Sequence, residues 1–202
     1  MGYPRSMPYD RDAALSYARQ FWLTPASDGY VAGEFDHAPF RKVPDGTIFV
    51  HDTDPSPSEH ALLPDGTVIP WKPLDDCTHF VSCVVGEPGG GLAVPRDFPT
   101  GPYGILGADR MVQALLRHNF IEVIPVADKS NPGLDRITPG DIIGYFRRSA
   151  KSYAHLVLYA GDENIICHTY CRSDDPACTW DHSYALGHDN DDWEWRLLRI
   201  KD

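Results

Sequence analysis

From Ile137 onward the chain runs in short apolar stretches separated by turns, and this pattern limits the possible folds more than any other feature. Pro139-Gly140-Asp141 leads into Ile142-Ile143-Gly144-Tyr145-Phe146, and Arg147 to Ser152 forms a polar turn. His155-Leu156-Val157-Leu158-Tyr159 follows, then the turn Gly161-Asp162-Glu163-Asn164 and the stretch Ile165-Ile166-Cys167-His168-Thr169. Short runs rich in β-branched and aromatic residues, bounded by Gly, Pro, Asp and Asn, are strand signals. Connections of this length join antiparallel neighbours, because a parallel pair needs a long crossover. Trp193 to Ile200 alternates well enough for a last strand.

The segments ahead of this meander are partly helical. Asp10-Arg11-Asp12 opens a helix in which Ala13, Ala14, Tyr17, Ala18, Phe21 and Trp22 share a face, and Thr24-Pro25 ends it. Ala108 to His118 is amphipathic through Met111, Val112, Leu115 and Leu116, and Ile121 to Val126 follows as a strand. Residues 26 to 70 are turn-rich with β character. Pro44-Asp45-Gly46-Thr47 and Pro64-Asp65-Gly66-Thr67 are two copies of one turn, each followed by a β-branched run. Helices first and an antiparallel meander afterwards predict the α+β class.

A chain of 202 residues fits one domain, here expected over 1–202 with a β-rich insertion at about 26–70 and a Cys/His-rich extension at about 170–192. The net charge of -11 argues against nucleic-acid binding and against an anionic membrane surface. Met1 to Ser6 lacks the apolar core of a signal peptide, and no apolar run approaches the roughly 18 residues of a membrane span. The expected location is cytoplasmic by default, or beyond the membrane by a route that needs no leader. Five cysteines leave at least one unpaired within the chain, which suits a reactive thiol.

One cysteine stands out. In Leu74-Asp75-Asp76-Cys77-Thr78-His79-Phe80-Val81-Ser82-Cys83-Val84-Val85, residues Cys77, Phe80, Val81 and Val84 share a helical face. Asp75 or Asp76 can serve as N-cap, so Cys77 falls in the first turn, where free amides and partial positive charge favour a thiolate. The Gly- and Pro-crowded stretch Gly86 to Gly104 comes next, and a long loop there is the expected wall of a substrate cleft. His155 opens one strand and His168 closes its expected partner, so the hairpin brings them to the same end of the sheet. Cys77 as nucleophile, His155 as base and His168 as the group orienting His155 make the arrangement of covalent acyl transfer. Asp75 and Asp76 are expected as caps, and His79 as a group pointing away from Cys77, either at the surface or supporting the reacting groups from behind.

Asp76-Cys77-Thr78-His79-Phe80-Val81-Ser82, Pro139 to Ile143, Ala154 to Gly161 and Ile165 to Thr169 together resemble the NlpC/P60 papain-like superfamily. The nearest likeness within it is an amidase group whose nucleophile motif reads Asp-Cys-Thr-Asn-Phe-Val-Ser and which tends to begin with a helix like Tyr9 to Ala14. The resemblance covers residues 9 to 22 and 74 to 170. It implies a papain-like fold, N-terminal helices packed on a C-terminal antiparallel sheet. It also implies a cysteine amidase or peptidase without cofactor or metal, with Cys77, His155 and His168 in the three catalytic positions. The implied substrate is an amide bond in peptidoglycan or a related peptide. The chain departs from the pattern at His79, where the family usually has Asn or Gly.

Three other readings compete. Cys167, His168, Cys171, Cys178 and His182 supply soft ligands for zinc, although their spacings lack the paired rhythm of structural sites. A Cys171–Cys178 disulfide is the alternative use of two of them. A catalytically inactive papain-like binding module is the second reading. The third is an antibacterial amidase effector, delivered by a specialised secretion system and matched by an immunity protein. His188-Asp189-Asn190-Asp191-Asp192 lacks the glycine and distal Glu of a calcium loop and is expected to be solvated.

Overall fold

The computed structural model describes residues 8–35, 38–50, 60–70, 76–126, 128, 131–168 and 191–201. The chain is α+β. Among the described residues, helices α1 (Arg11–Phe21), α2 (Cys77–Val85) and α3 (Ala108–Arg117) accompany ten strands. Strands β1 (Tyr30–Phe35) and β2 (Ala38–Lys42) form a two-stranded sheet, and β3 (Ile48–Val50), β4 (His60–Leu62) and β5 (Val68–Pro70) a three-stranded one. The largest sheet contains β6 (Ile121–Pro125), β7 (Ile142–Arg147), β8 (Ser152–Gly161), β9 (Asn164–Ile166) and β10 (Trp193–Ile200). Its order is β6-β10-β7-β8-β9, antiparallel at every step.

The meander expected from Ile137 is present, with one difference. The chain's last strand does not extend the sheet at an edge. It lies between β6 and β7, with Leu198 opposite both Val123 and Ile142.

Both faces of this sheet are buried, which explains the unbroken apolar runs. Leu156 and Leu158 of β8 and Leu198 of β10 turn toward Phe80, Val81 and Val84 of α2 and Met111, Val112 and Leu115 of α3. Val157 and Tyr159 point the other way and cluster with Tyr145, Ile165, Cys167, Trp195 and Leu197. A strand covered on one side alternates apolar with polar, whereas one covered on both reads as continuous hydrophobe. The strands within 26–70 carry a separate core of Val31, Val43, Phe49, Ala61, Leu63 and Ile69.

Helix α1 begins where the sequence places it, with Asp10 Oδ1 accepting from the Ala13 amide at 2.9 Å. It rests on α2, and α2 and α3 rest on β8. Among the described residues no helix is long and apolar enough to cross a membrane.

Candidate active site

Cys77 is the first residue of α2, as the pattern predicts, and is 2% exposed. Its Sγ lies 3.6 Å from Thr78 Oγ1. Asp76 stands in the N-cap position, but its side chain does not cap the helix. The carboxylate turns inward, where Oδ1 accepts from the Ala32 amide at 2.5 Å and meets His79 Nδ1 at 2.9 Å. Oδ2 meets His168 Nδ1 at 2.6 Å. Asp76 is therefore a buried hub, and the expectation of a simple cap is corrected. Burial works to raise its carboxyl pKa, but the His79 charge and the two imidazole hydrogen bonds outweigh it and hold the group at about 2.

His79 does not reach the surface, which corrects one of the two placements expected for it. Its ring is fully buried, with Nδ1 on Asp76 and Nε2 3.0 Å from Asp28 Oδ2. Burial opposes its charge, yet the carboxylates on either side raise its pKa well above the ordinary value. Asp28 in turn accepts from the Tyr103 amide at 2.7 Å and the Tyr30 amide at 3.0 Å. Burial acts to raise the Asp28 carboxyl, and its bond to His79 and that ring's charge bring it below the usual range.

His168 is placed differently from the sequence expectation. Strand β9 ends at Ile166, so His168 lies past the ladder and does not close it. Its Nδ1 is held by Asp76 and its Nε2 by the Phe21 carbonyl at 2.8 Å. The ring stacks on Phe80, centroids 3.8 Å apart. With both nitrogens engaged by Asp76 and Phe21, His168 does not orient His155. Cys171, Cys178 and His182 lie outside the described residues. His168 instead joins the last residue of α1 to the residue preceding α2, sharing the Phe21 carbonyl with the Thr24 amide.

His155 sits on β8, the strand along which α2 lies. It pairs in register with Tyr145, and the two rings are 5.3 Å apart. Burial pushes its pKa down to about 4, so the imidazole is neutral near pH 7. A neutral ring is the form that can accept a proton from a thiol.

A second cysteine–histidine–carboxylate row was not foreseen. Cys83 Sγ lies 3.6 Å from His79 Nε2, and His79 Nδ1 holds Asp76. It has the order of nucleophile, base and carboxylate but not the chemistry. His79 is held charged between two carboxylates, burial raises the Cys83 thiol, and both residues are sealed from solvent. The sequence carried a signal for it: Asp76 and His79 are three apart, His79 and Cys83 four apart, so one helix places all three together.

No family model, curated protein or solved structure matches the chain.

Proposed function

We propose that the protein is a cysteine amidase or peptidase of papain-like type, with Cys77 as nucleophile and His155 as general base. The observation that carries this reading is the start of α2. A cysteine heads a helix whose flank lies on β8, and β8 presents a buried, neutral histidine.

The neutral His155 ring accepts the thiol proton as Cys77 Sγ attacks the amide carbonyl carbon. The resulting imidazolium then gives that proton to the departing amine as the C–N bond breaks. Water, deprotonated by the same ring, attacks the thioester and releases the acid, and the thiol is restored. The Cys77 amide at the helix start supplies an oxyanion donor. His168 enters this scheme as a positioning residue, acting on the head of α2 through Asp76. The proposed substrate class is a peptidoglycan-type peptide amide, supported by the motif likeness around Cys77, His155 and His168.

Purified peptidoglycan is the test substrate, with mass analysis of the released fragments. Cys77→Ala is expected to abolish cleavage, a loss of at least 1,000-fold on the scale of a removed covalent nucleophile, while the circular dichroism stays native. Cleavage that survives the substitution refutes the assignment.

A further inference from the structure

The buried row around His79 contains a group that its ion pairs do not need. Asp28, His79 and Asp76 already satisfy one another. Cys83 nevertheless places its Sγ 3.6 Å from His79 Nε2, and the Cys83 Sγ, His79 Nε2 and an Asp28 carboxylate oxygen all lie within 4.8 Å of one another. We propose that Asp28, His79 and Cys83 form a binding site for a divalent transition-metal ion, zinc by its ligand chemistry, with Asp76 holding the far nitrogen of His79.

Geometry and chemistry both favour it. Zinc bonds of about 2.0–2.3 Å arranged tetrahedrally separate a nitrogen from an oxygen ligand by about 3.3 Å and a nitrogen from a sulfur by about 3.6 Å. The corresponding distances here are 3.0 Å and 3.6 Å. A mixed N, O, S donor set suits zinc, which takes imidazole, carboxylate and thiolate. His79 and Cys83 are one helical turn apart on α2, the spacing by which a helix offers two ligands from one face. Metal-bound histidines typically give their second nitrogen to a carboxylate, and Asp76 Oδ1 is already 2.9 Å from His79 Nδ1. The Asp28 side chain is 15% exposed, so the ion would enter from that side. His79 is also the position at which the chain departs from the motif it otherwise resembles.

The charge balances. The Asp28 carboxylate, a protonated His79 and a Cys83 thiol together carry none. A divalent ion with the same carboxylate, a neutral His79 and a Cys83 thiolate also carries none, and two protons leave to solvent on binding. Bound there, the ion would fix α2 to the segment before β1, beside the Tyr103 backbone. Its readout is spectroscopic and does not depend on hydrolysis at Cys77.

Cobalt(II) added to the metal-free full chain is the probe. One equivalent is expected to give tetrahedral visible bands and a near-ultraviolet thiolate-to-metal band, both displaced by zinc. Cys83→Ser is expected to lose the near-ultraviolet band. A chain with Cys83 as sole thiol (Cys77, Cys167, Cys171 and Cys178 all changed to Ser) is expected to keep it. Absence of the band in the wild type, or its survival in Cys83→Ser, overturns the proposal. X-ray absorption of the zinc-loaded wild type covers the case in which a variant fails to fold. A single sulfur at about 2.3 Å supports the site, and two or more sulfurs, or none, overturn it.

Discussion

Burial alone makes His155 a conditional residue. Its pKa of about 4 lies below the ordinary value of about 6.5, so the folded state resists the proton that the unfolded chain accepts. Stability is then complete above pH 6.5, falls as the pH drops toward 4, and levels off below that, a total of about 3 kcal/mol. Urea midpoints at pH 7 and pH 4.5 are expected to differ less for His155→Gln than for the wild type. An equal difference in the two proteins would show that another group carries the acid sensitivity. At this scale the sequence was partly legible. Cys77 leads its helix because helical periodicity and an acidic start are local signals. His79 was misplaced because its fate depends on Asp28, 51 residues away, and no local pattern reports that. His168 was read as closing a strand, and it lies just past the end of β9. Its partners, Phe21 and Asp76, come from distant parts of the chain.

At the scale of elements, α2 is the organising piece. Every one of its nine residues is buried, including Thr78, His79 and Ser82. A helix enclosed on all sides is usually apolar all round, so its polar side chains must be matched inside. Ser82 Oγ donates to the His79 carbonyl at 2.7 Å and accepts from the Ile105 amide at 3.2 Å. That bond ties the end of the Gly86 to Gly104 loop onto the helix and leaves no space beside it. A Cβ on Gly104 would stand 2.1 Å from Ser82 Oγ, and its φ of +74° already disfavours a side chain. Gly104→Ala is expected to cost about 2–4 kcal/mol in urea unfolding. A loss below ~0.5 kcal/mol would mean that the loop moves aside freely. Asp76→Asn tests the other end of α2. An amide that keeps its oxygen toward the Ala32 amide and His79 turns an NH2 toward His168 Nδ1, so at least one buried hydrogen bond is lost or opposed. The expected cost is about 3 kcal/mol or more, with faster amide exchange in α1 and α2, since His168 and Asp76 link the two. Exchange that quickens in α2 alone would remove His168 from that role. The apolar face read from Cys77, Phe80, Val81 and Val84 was correct but incomplete, because it could not show that the opposite face is covered too.

The whole molecule is closed by a second buried carboxylate. Asp141 Oδ1 receives Arg11 Nη1 at 2.6 Å and the Ile200 amide at 2.8 Å, and Oδ2 receives the Thr138 amide at 2.8 Å. Arg11 Nη2 also donates to the Ile200 carbonyl at 2.8 Å, and Tyr9 donates to the Gly140 carbonyl at 2.6 Å. The first helix, the turn into β7 and the end of β10 thus meet at one side chain. The turn was readable as Pro-Gly-Asp. The closure was not, because it joins residues 130 and 59 positions apart. The same long range governs the sheet, since β10 enters between β6 and β7 only when the end of the chain is in place. Folding should therefore be a single cooperative event that waits on non-local pairing. Arg11→Met keeps the aliphatic length and removes the charge from Asp141, which is fully buried. Breaking such a pair in a dry interior costs ~3–5 kcal/mol. The Arg11 side chain is 19% exposed, so solvent screening lowers the expectation to about 2 kcal/mol. If Asp141 closes the molecule, that loss lowers the midpoint of one shared transition, seen equally by tryptophan fluorescence and by far-ultraviolet circular dichroism. If instead the two probes separate in Arg11→Met, α1 is a detachable cover and the closure through Asp141 is local.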